Sequence, residues 1–161
     1  MSDKDSASPR PDKADTQLPG HSLPNEATPL GGVVAVMRRR DQFLMIQRGL
    51  KLDRAPGKFC FPGGTIEPGE SPLQALHREM QEELGIQIQP HSKIWTCHTT
   101  RGVQLEWWAT DFSPKAEIRP CPHEIAWHGW MELEQILRLE QLLPTNLEFL
   151  RLLQSGEIRW P

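Results

Sequence analysis

Residues 64–86 read GTIEPGESPLQALHREMQEELGI, and the fold is read outward from the helix they contain. Ser71, Pro72, Leu73 and Gln74 have the form of a capping box. Ser71 caps the first turn, Pro72 takes the first helical position, and Gln74 reaches back from the third. Leu73, Leu76, Met80 and Leu84 recur at helical spacing as a buried stripe. Gly85 supplies the left-handed residue that ends such a helix. The spacing predicts a helix over residues 72–84.

Three acids on that helix carry the chemistry. At 100° per residue, Glu82 lies about 60° to one side of Glu79 and Glu83 about 40° to the other. Like charges at these intervals repel by about 0.2–0.5 kcal/mol per exposed pair. They also stand toward the helix C-terminus, where the macrodipole disfavours anions. Two local rules are broken together, which marks a functional site. A hard divalent cation resolves both, because Mg²⁺ takes oxygen ligands and keeps several waters. A carboxylate left off the metal then takes a proton from such a water. Taken alone, REMQEE also reads as a solvated acidic helix face.

Outward from the helix, residues 30–38 (LGGVVAVMR) read as a buried strand. A tight turn is expected at Asp41-Gln42, and residues 43–48 (FLMIQR) form the next strand. Residues 49–60 read as a loop. The FPGG segment at residues 61–64 is a sharp turn whose glycines let backbone approach a ligand. Further on, residues 93–101 and 103–112 are expected to pair as strands joined near Arg101-Gly102. Residues 124–130 form another strand, and helices are predicted over residues 131–143 and 145–156. Strands and helices mix without strict alternation, which predicts an α/β fold with a mixed sheet between helices.

The chain has 161 residues, enough for one domain with a sizeable core. That domain is assigned to residues 30–161. Residues 1–29 carry five prolines, five acids and three bases but almost no large apolar side chains, so they are expected to form a disordered tail. Net charge is −3, which does not suggest general nucleic-acid binding. A local cationic run stands before the helix: Arg38, Arg39, Arg40, Arg48, Lys51, Arg54 and Lys58 face only Asp41 and Asp53. It reads as a solvated loop or as a rim that attracts phosphates. No apolar run approaches the roughly 20 residues of a membrane span, and the first residues lack a secretory core. A cytoplasmic protein with no membrane partner is expected. Cys60, Cys97 and Cys121 form no CxxC pair, and Cys97, His98, Cys121 and His123 fit no usual zinc spacing.

The stretch from Gly64 resembles the signature of the Nudix hydrolases. Gly64, Glu70, Arg78, Glu79, Glu82, Glu83 and Gly85 fill its seven fixed positions, and Met80 and Ile86 its two aliphatic ones. A chance match has a probability on the order of 10⁻⁸ per starting point. The resemblance implies a Nudix α/β/α sandwich and hydrolysis of a nucleoside diphosphate linked to another group, with Mg²⁺ or Mn²⁺. It implies that Glu82 and Glu83 are the principal metal ligands, that Glu79 is a further ligand or the general base, and that the Gly63 carbonyl completes the set. Glu70 and Arg78 would form a structural ion pair. The partner implied is a small-molecule nucleotide, and homodimers are common in the family.

Within the family, the MutT-like members give the nearest comparison. They place a Glu six residues before a Trp, as Glu124 precedes Trp130 here, so Glu124 is a candidate fourth acid. Arg48 is placed like their phosphate-meeting Arg, one residue off in spacing. Asn146 follows Pro144 by two, as does their purine-reading Asn, although Thr145 or Asn146 also suits the N-cap of the last helix. Trp107 and Trp108 point to opposite faces of their strand; either packs in the core or stacks on a base, with Trp108 the candidate. The chain has no tyrosine, unlike the dinucleoside polyphosphate type, and no proline around Val103, unlike the ADP-ribose type. Arg54 sits one residue too close to Gly57 for the coenzyme A pattern. The leading expectation is a nucleoside triphosphate pyrophosphohydrolase, oxidised purines included. The alternatives are another linked diphosphate (a nucleotide sugar, a coenzyme, a capped RNA end) and a non-catalytic nucleotide sensor.

Overall fold

The computed structural model describes residues 31–161; the tail expected over residues 1–29 lies outside the described residues. Seven strands and three helices follow in order: β1 (Gly32–Arg39), β2 (Gln42–Arg48), β3 (Phe59–Cys60), β4 (Gly63–Thr65), α1 (Pro72–Leu84), β5 (Ile88–His98), β6 (Gln104–Phe112), β7 (Ile125–Glu132), α2 (Leu133–Leu137) and α3 (Pro144–Ser155). The strands form one mixed sheet in the order β3-β2-β1-β6-β5, with β4 paired to β1 and β7 to β2. β1 runs parallel to β6, and the other pairings are antiparallel.

β1 explains the layering. Its residues alternate between two buried faces, as in a strand covered on both sides. Val33, Ala35 and Met37 join a core with Leu76, Met80 and Leu84 of α1. Val34 and Val36 join a second core with Ile136 of α2 and Phe149 and Leu150 of α3. The sheet is therefore sandwiched between helices, as expected.

α1 follows its sequence signals. Ser71 accepts the Gln74 N–H at 3.3 Å, and Gln74 accepts the Ser71 N–H at 2.8 Å. Gly85 sits at φ 65°. One residue of the expected stripe departs: Leu73 is 41% exposed. It shares the side of Leu84, but in a first turn beyond the cover of the core; Ala75 is buried instead.

Other elements differ from expectation for identifiable reasons. The β1–β2 turn is Arg40-Asp41 rather than Asp41-Gln42, with Arg40 at φ 54°. β5 begins at Ile88, five residues early, because Pro90 falls at a bulge where no ladder N–H is required. Met131 and Glu132 remain in β7, and α2 is five residues long instead of thirteen. The Phe59 N–H donates to the Gln141 carbonyl (2.8 Å) and the Phe59 carbonyl accepts the Leu143 N–H (3.0 Å). That exchange draws residues 141–143 out of a helix, and Pro144 disfavours helical geometry at Leu143. Leu143 is then the N-cap of α3, not Thr145 or Asn146, with Pro144 at its first turn.

Candidate active site

The three acids of α1 differ by rotation about its axis. Glu83 lies within the buried arc; around the axis Glu79 is about 40° from Glu83 and Glu82 about 100° from it, toward solvent. Burial follows: Glu83 is 5% exposed, the Glu79 side chain 13% and the Glu82 side chain 54%. Burial, and then the charges of Glu79 and Glu124, push Glu83 up to about 8. Its Oε2 accepts the Gly63 N–H at 3.2 Å. Glu79 is also raised, first by burial and against the pull of Arg78.

The FPGG turn is shaped to this helix. A Cβ on Gly63 would meet the Val33 carbonyl, and one on Gly64 would overlap the Glu79 carboxylate. The two glycines let β4 lie against β1 on one side and against α1 on the other. Glu70 and Arg78 pair in a bidentate fork at 2.9 and 3.0 Å, and Arg78 also donates to the Thr65 carbonyl at 2.8 Å. The Arg78 bond holds the Glu70 carboxyl below the usual range. These contacts tie the loop before α1 to the helix. From Nη1, Arg78 donates to Glu79 (2.9 Å) and Glu82 (3.2 Å) as well.

The segment that carries Glu124 is anchored on the end of α1, whose last carbonyls have no partner within the helix. The Cys121 N–H donates to the Glu83 carbonyl and the Arg119 N–H to the Leu84 carbonyl, both at 2.8 Å. The chain then turns, with the Glu124 N–H on the Cys121 carbonyl at 3.1 Å. From the other side, the Gly49 N–H donates to the Glu124 carbonyl at 2.7 Å. A Cβ on Gly49 would lie 2.6 Å from the His123 carbonyl. Gly49 thus helps place Glu124, and sequence reasoning missed it: a glycine after a strand reads simply as the start of a loop.

A cleft of about 470 Å³ opens beside these groups. Gly63 and Gly64 stand in its wall, together with Arg48, Arg54, Arg101 and Asn146. Arg48 gives Nε and Nη2 to the Arg54 carbonyl, at 3.2 and 3.1 Å. Asn146 is 3% exposed; its Oδ1 accepts the Phe61 N–H at 2.7 Å, and Nδ2 approaches Thr145 Oγ1 at 3.4 Å. Trp108 is not among the residues lining the cleft. It packs against the core on the α1 face, and its buried Nε1 has no hydrogen-bond partner. Trp107 stacks on Phe149 on the opposite face, with centroids 4.7 Å apart. Cys60 also lines the cleft, but burial pushes its thiol up to about 12, so it stays protonated and is no nucleophile.

The NUDIX domain family model matches residues 28–153, which span this sheet, α1 and the cleft. The chain belongs to the Nudix hydrolase family. Among relatives of this Nudix hydrolase is the 8-oxo-dGTP diphosphatase of Escherichia coli, 42% identical over 116 residues, which cover 70% of this chain and 87% of that one. The CTP pyrophosphohydrolase of E. coli is 47% identical over 55 residues, 34% of this chain. The matched part spans only 40% of that relative's length. In fold, the MutT protein of Methanosarcina mazei superposes with a TM-score of 0.68 at 24% identity, covering 80% of this chain and 94% of that one. The ORF135 protein of E. coli gives 0.62 at 28% identity, covering 79% and 89%.

Nudix hydrolases generally use divalent metals, and the donor chemistry here fits one. Glu83 is a buried carboxyl raised first by burial and then by the charges of Glu79 and Glu124, and the oxygens available around it are carboxylate and carbonyl, the hard donors that Mg²⁺ or Mn²⁺ takes. Among the described residues, no three His, Cys, Asp or Glu side chains are grouped closely enough to grip an ion as they stand. Arg78 bonds both Glu79 and Glu82 through one nitrogen, Nη1. Among the described residues, no helix is long and apolar enough to cross a membrane.

Proposed function

We propose that this protein hydrolyses the pyrophosphate bond of a nucleoside triphosphate, oxidised purine deoxynucleotides among them. The products are the nucleoside monophosphate and pyrophosphate. Mg²⁺ is the proposed ion, with Mn²⁺ able to replace it. The observation that carries this reading is a cleft walled by Arg48, Arg54 and Arg101 together with Gly63 and Gly64, the two glycines that pack against Glu83 and Glu79 of α1. A likeness of 42% to a relative named 8-oxo-dGTP diphosphatase supports the substrate class.

Glu79, Glu82, Glu83 and the Gly63 carbonyl would hold the ion. When bound, it would supply Lewis-acid stabilisation of the phosphate oxygens and lower the pKa of a coordinated water. The remaining work falls to the chain. Glu124 or Glu79 would accept the proton of the attacking water. Phosphorus gains that oxygen and loses the bridging one, and the pyrophosphate leaves with its charge faced by the cleft arginines. Asn146 Nδ2 offers a donor to the base. Glu70 and Arg78 keep the loop before α1 rigid.

The test is turnover of a panel of nucleoside triphosphates, nucleotide sugars, coenzyme A and capped RNA with Mg²⁺, with products separated. Release of pyrophosphate from a triphosphate is the expected result. Turnover of the other diphosphates alone would overturn the substrate class, and no turnover of any compound would overturn the enzyme.

A further inference from the structure

The loop between β2 and β3 is held by two adjacent side chains of β2. Gln47 Nε2 donates to the Gly57 carbonyl at 3.1 Å, and Arg48 donates twice to the Arg54 carbonyl, at 3.2 and 3.1 Å. The backbone adds a bond from the Gly57 N–H to the Arg48 carbonyl, 3.1 Å. Ala55, directly after the clamped carbonyl, takes the left-handed φ of 46°. A side chain with a Cβ occupies that region only when its surroundings enforce it. The two bonds from Arg48 are charge-assisted and supply that enforcement.

The crest so fixed lines the cleft with Asp53, Arg54 and Ala55. It stands at the acid end, since Gly49, next to Arg48, donates its N–H to the Glu124 carbonyl at 2.7 Å. Among the described residues, Arg48, Arg54 and Arg101 have no carboxylate within ion-pair distance. Arg48 has two of its donors committed to main chain. The Arg54 guanidinium is exposed and unpaired among the same residues. A planar cation of this kind, beside a cleft, suits phosphate oxygens.

We propose that Arg54 binds the phosphate chain of the substrate and that Arg48 is a positioning residue, acting through the loop it clamps. This rests on the nucleoside triphosphate reading above.

The experiment measures calorimetric binding of an α,β-methylene deoxyguanosine triphosphate, with deoxyguanosine monophosphate as control, to the whole chain with Mg²⁺. Arg54→Gln is expected to weaken triphosphate binding about tenfold, the scale of one lost charge-assisted contact, and to leave the monophosphate within about twofold. Arg48→Gln should do the same, and the double variant should be no weaker than either, because both act through one contact. Arg48→Lys, which keeps a charged donor, should recover part of the loss. Unchanged triphosphate affinity in Arg54→Gln would overturn the proposal, and so would additive losses near a hundredfold in the double variant. No turnover is required, so a chain that binds as expected yet cleaves nothing would refute the hydrolase reading and leave this one standing.

Discussion

Asn146 Oδ1 accepts the Phe61 N–H at 2.7 Å, which fastens the first turn of α3 to the residue that opens the FPGG turn. Both groups are buried. Asn146→Ala strands that N–H without a partner, a loss of about 1–3 kcal/mol. Urea denaturation should show a lower midpoint with an unchanged slope. A midpoint equal to that of the unsubstituted protein would show that the latch contributes nothing.

Gly64 lies flat against the Glu79 carboxylate, where a Cβ would overlap it. The obstacle is the far end of a flexible side chain, and Gly64 is not among the positive-φ glycines. Gly64→Ala should therefore fold with a stability change of no more than about 1 kcal/mol. Glu79 must move aside, and a displacement of this kind costs about 10²-fold in kcat. Equal and small effects on stability and turnover would contradict the role given to Glu79.

Glu83 gives the metal-free protein a pH dependence. Its carboxyl goes from an ordinary 4.5 to about 8, mainly by burial and then by the charges of Glu79 and Glu124. Because the folded value is raised, its contribution to stability is intact below about pH 4.5 and is lost as pH rises through about 8. In EDTA, the urea midpoint should fall across that window, and Glu83→Gln should flatten the fall. Mg²⁺ should restore the midpoint at pH 8 in the unsubstituted protein but much less in Glu83→Gln. A midpoint that rises with pH in EDTA would reverse the sign assigned here.

Glu82→Gln should separate binding from chemistry. The amide oxygen still accepts from Arg78, so the loop before α1 stays in place. Turnover should fall by about 10²–10³-fold, the scale of losing one preorganised electrostatic partner, while affinity for a non-hydrolysable triphosphate changes little. An undiminished rate would mean that the Glu82 carboxylate has no part in the reaction.

The helix and its acids were legible because their signals are local. Ser71, Pro72, Gln74 and Gly85 cap α1 through neighbours at most five residues away, and β1 announces itself by a run of valines. What was missed depends on distant partners. Asn146 meets Phe61 across 85 residues, and α2 is cut short by the backbone of Phe59. Gly49 and Glu124 meet across a strand pairing, and no periodicity encodes such a contact. Trp107 and Trp108 alternate as expected, but their positions relative to the cleft follow from the packing of α1 and α3 on the two sheet faces.

The most direct measurement is the anomalous scattering of a crystal soaked in Mn²⁺. A peak within coordination distance of Glu82, Glu83 and the Gly63 carbonyl is expected, with the Arg78–Glu82 bond released to admit the ion. An empty site at saturating Mn²⁺, with Arg78 still holding Glu79 and Glu82, would contradict the account.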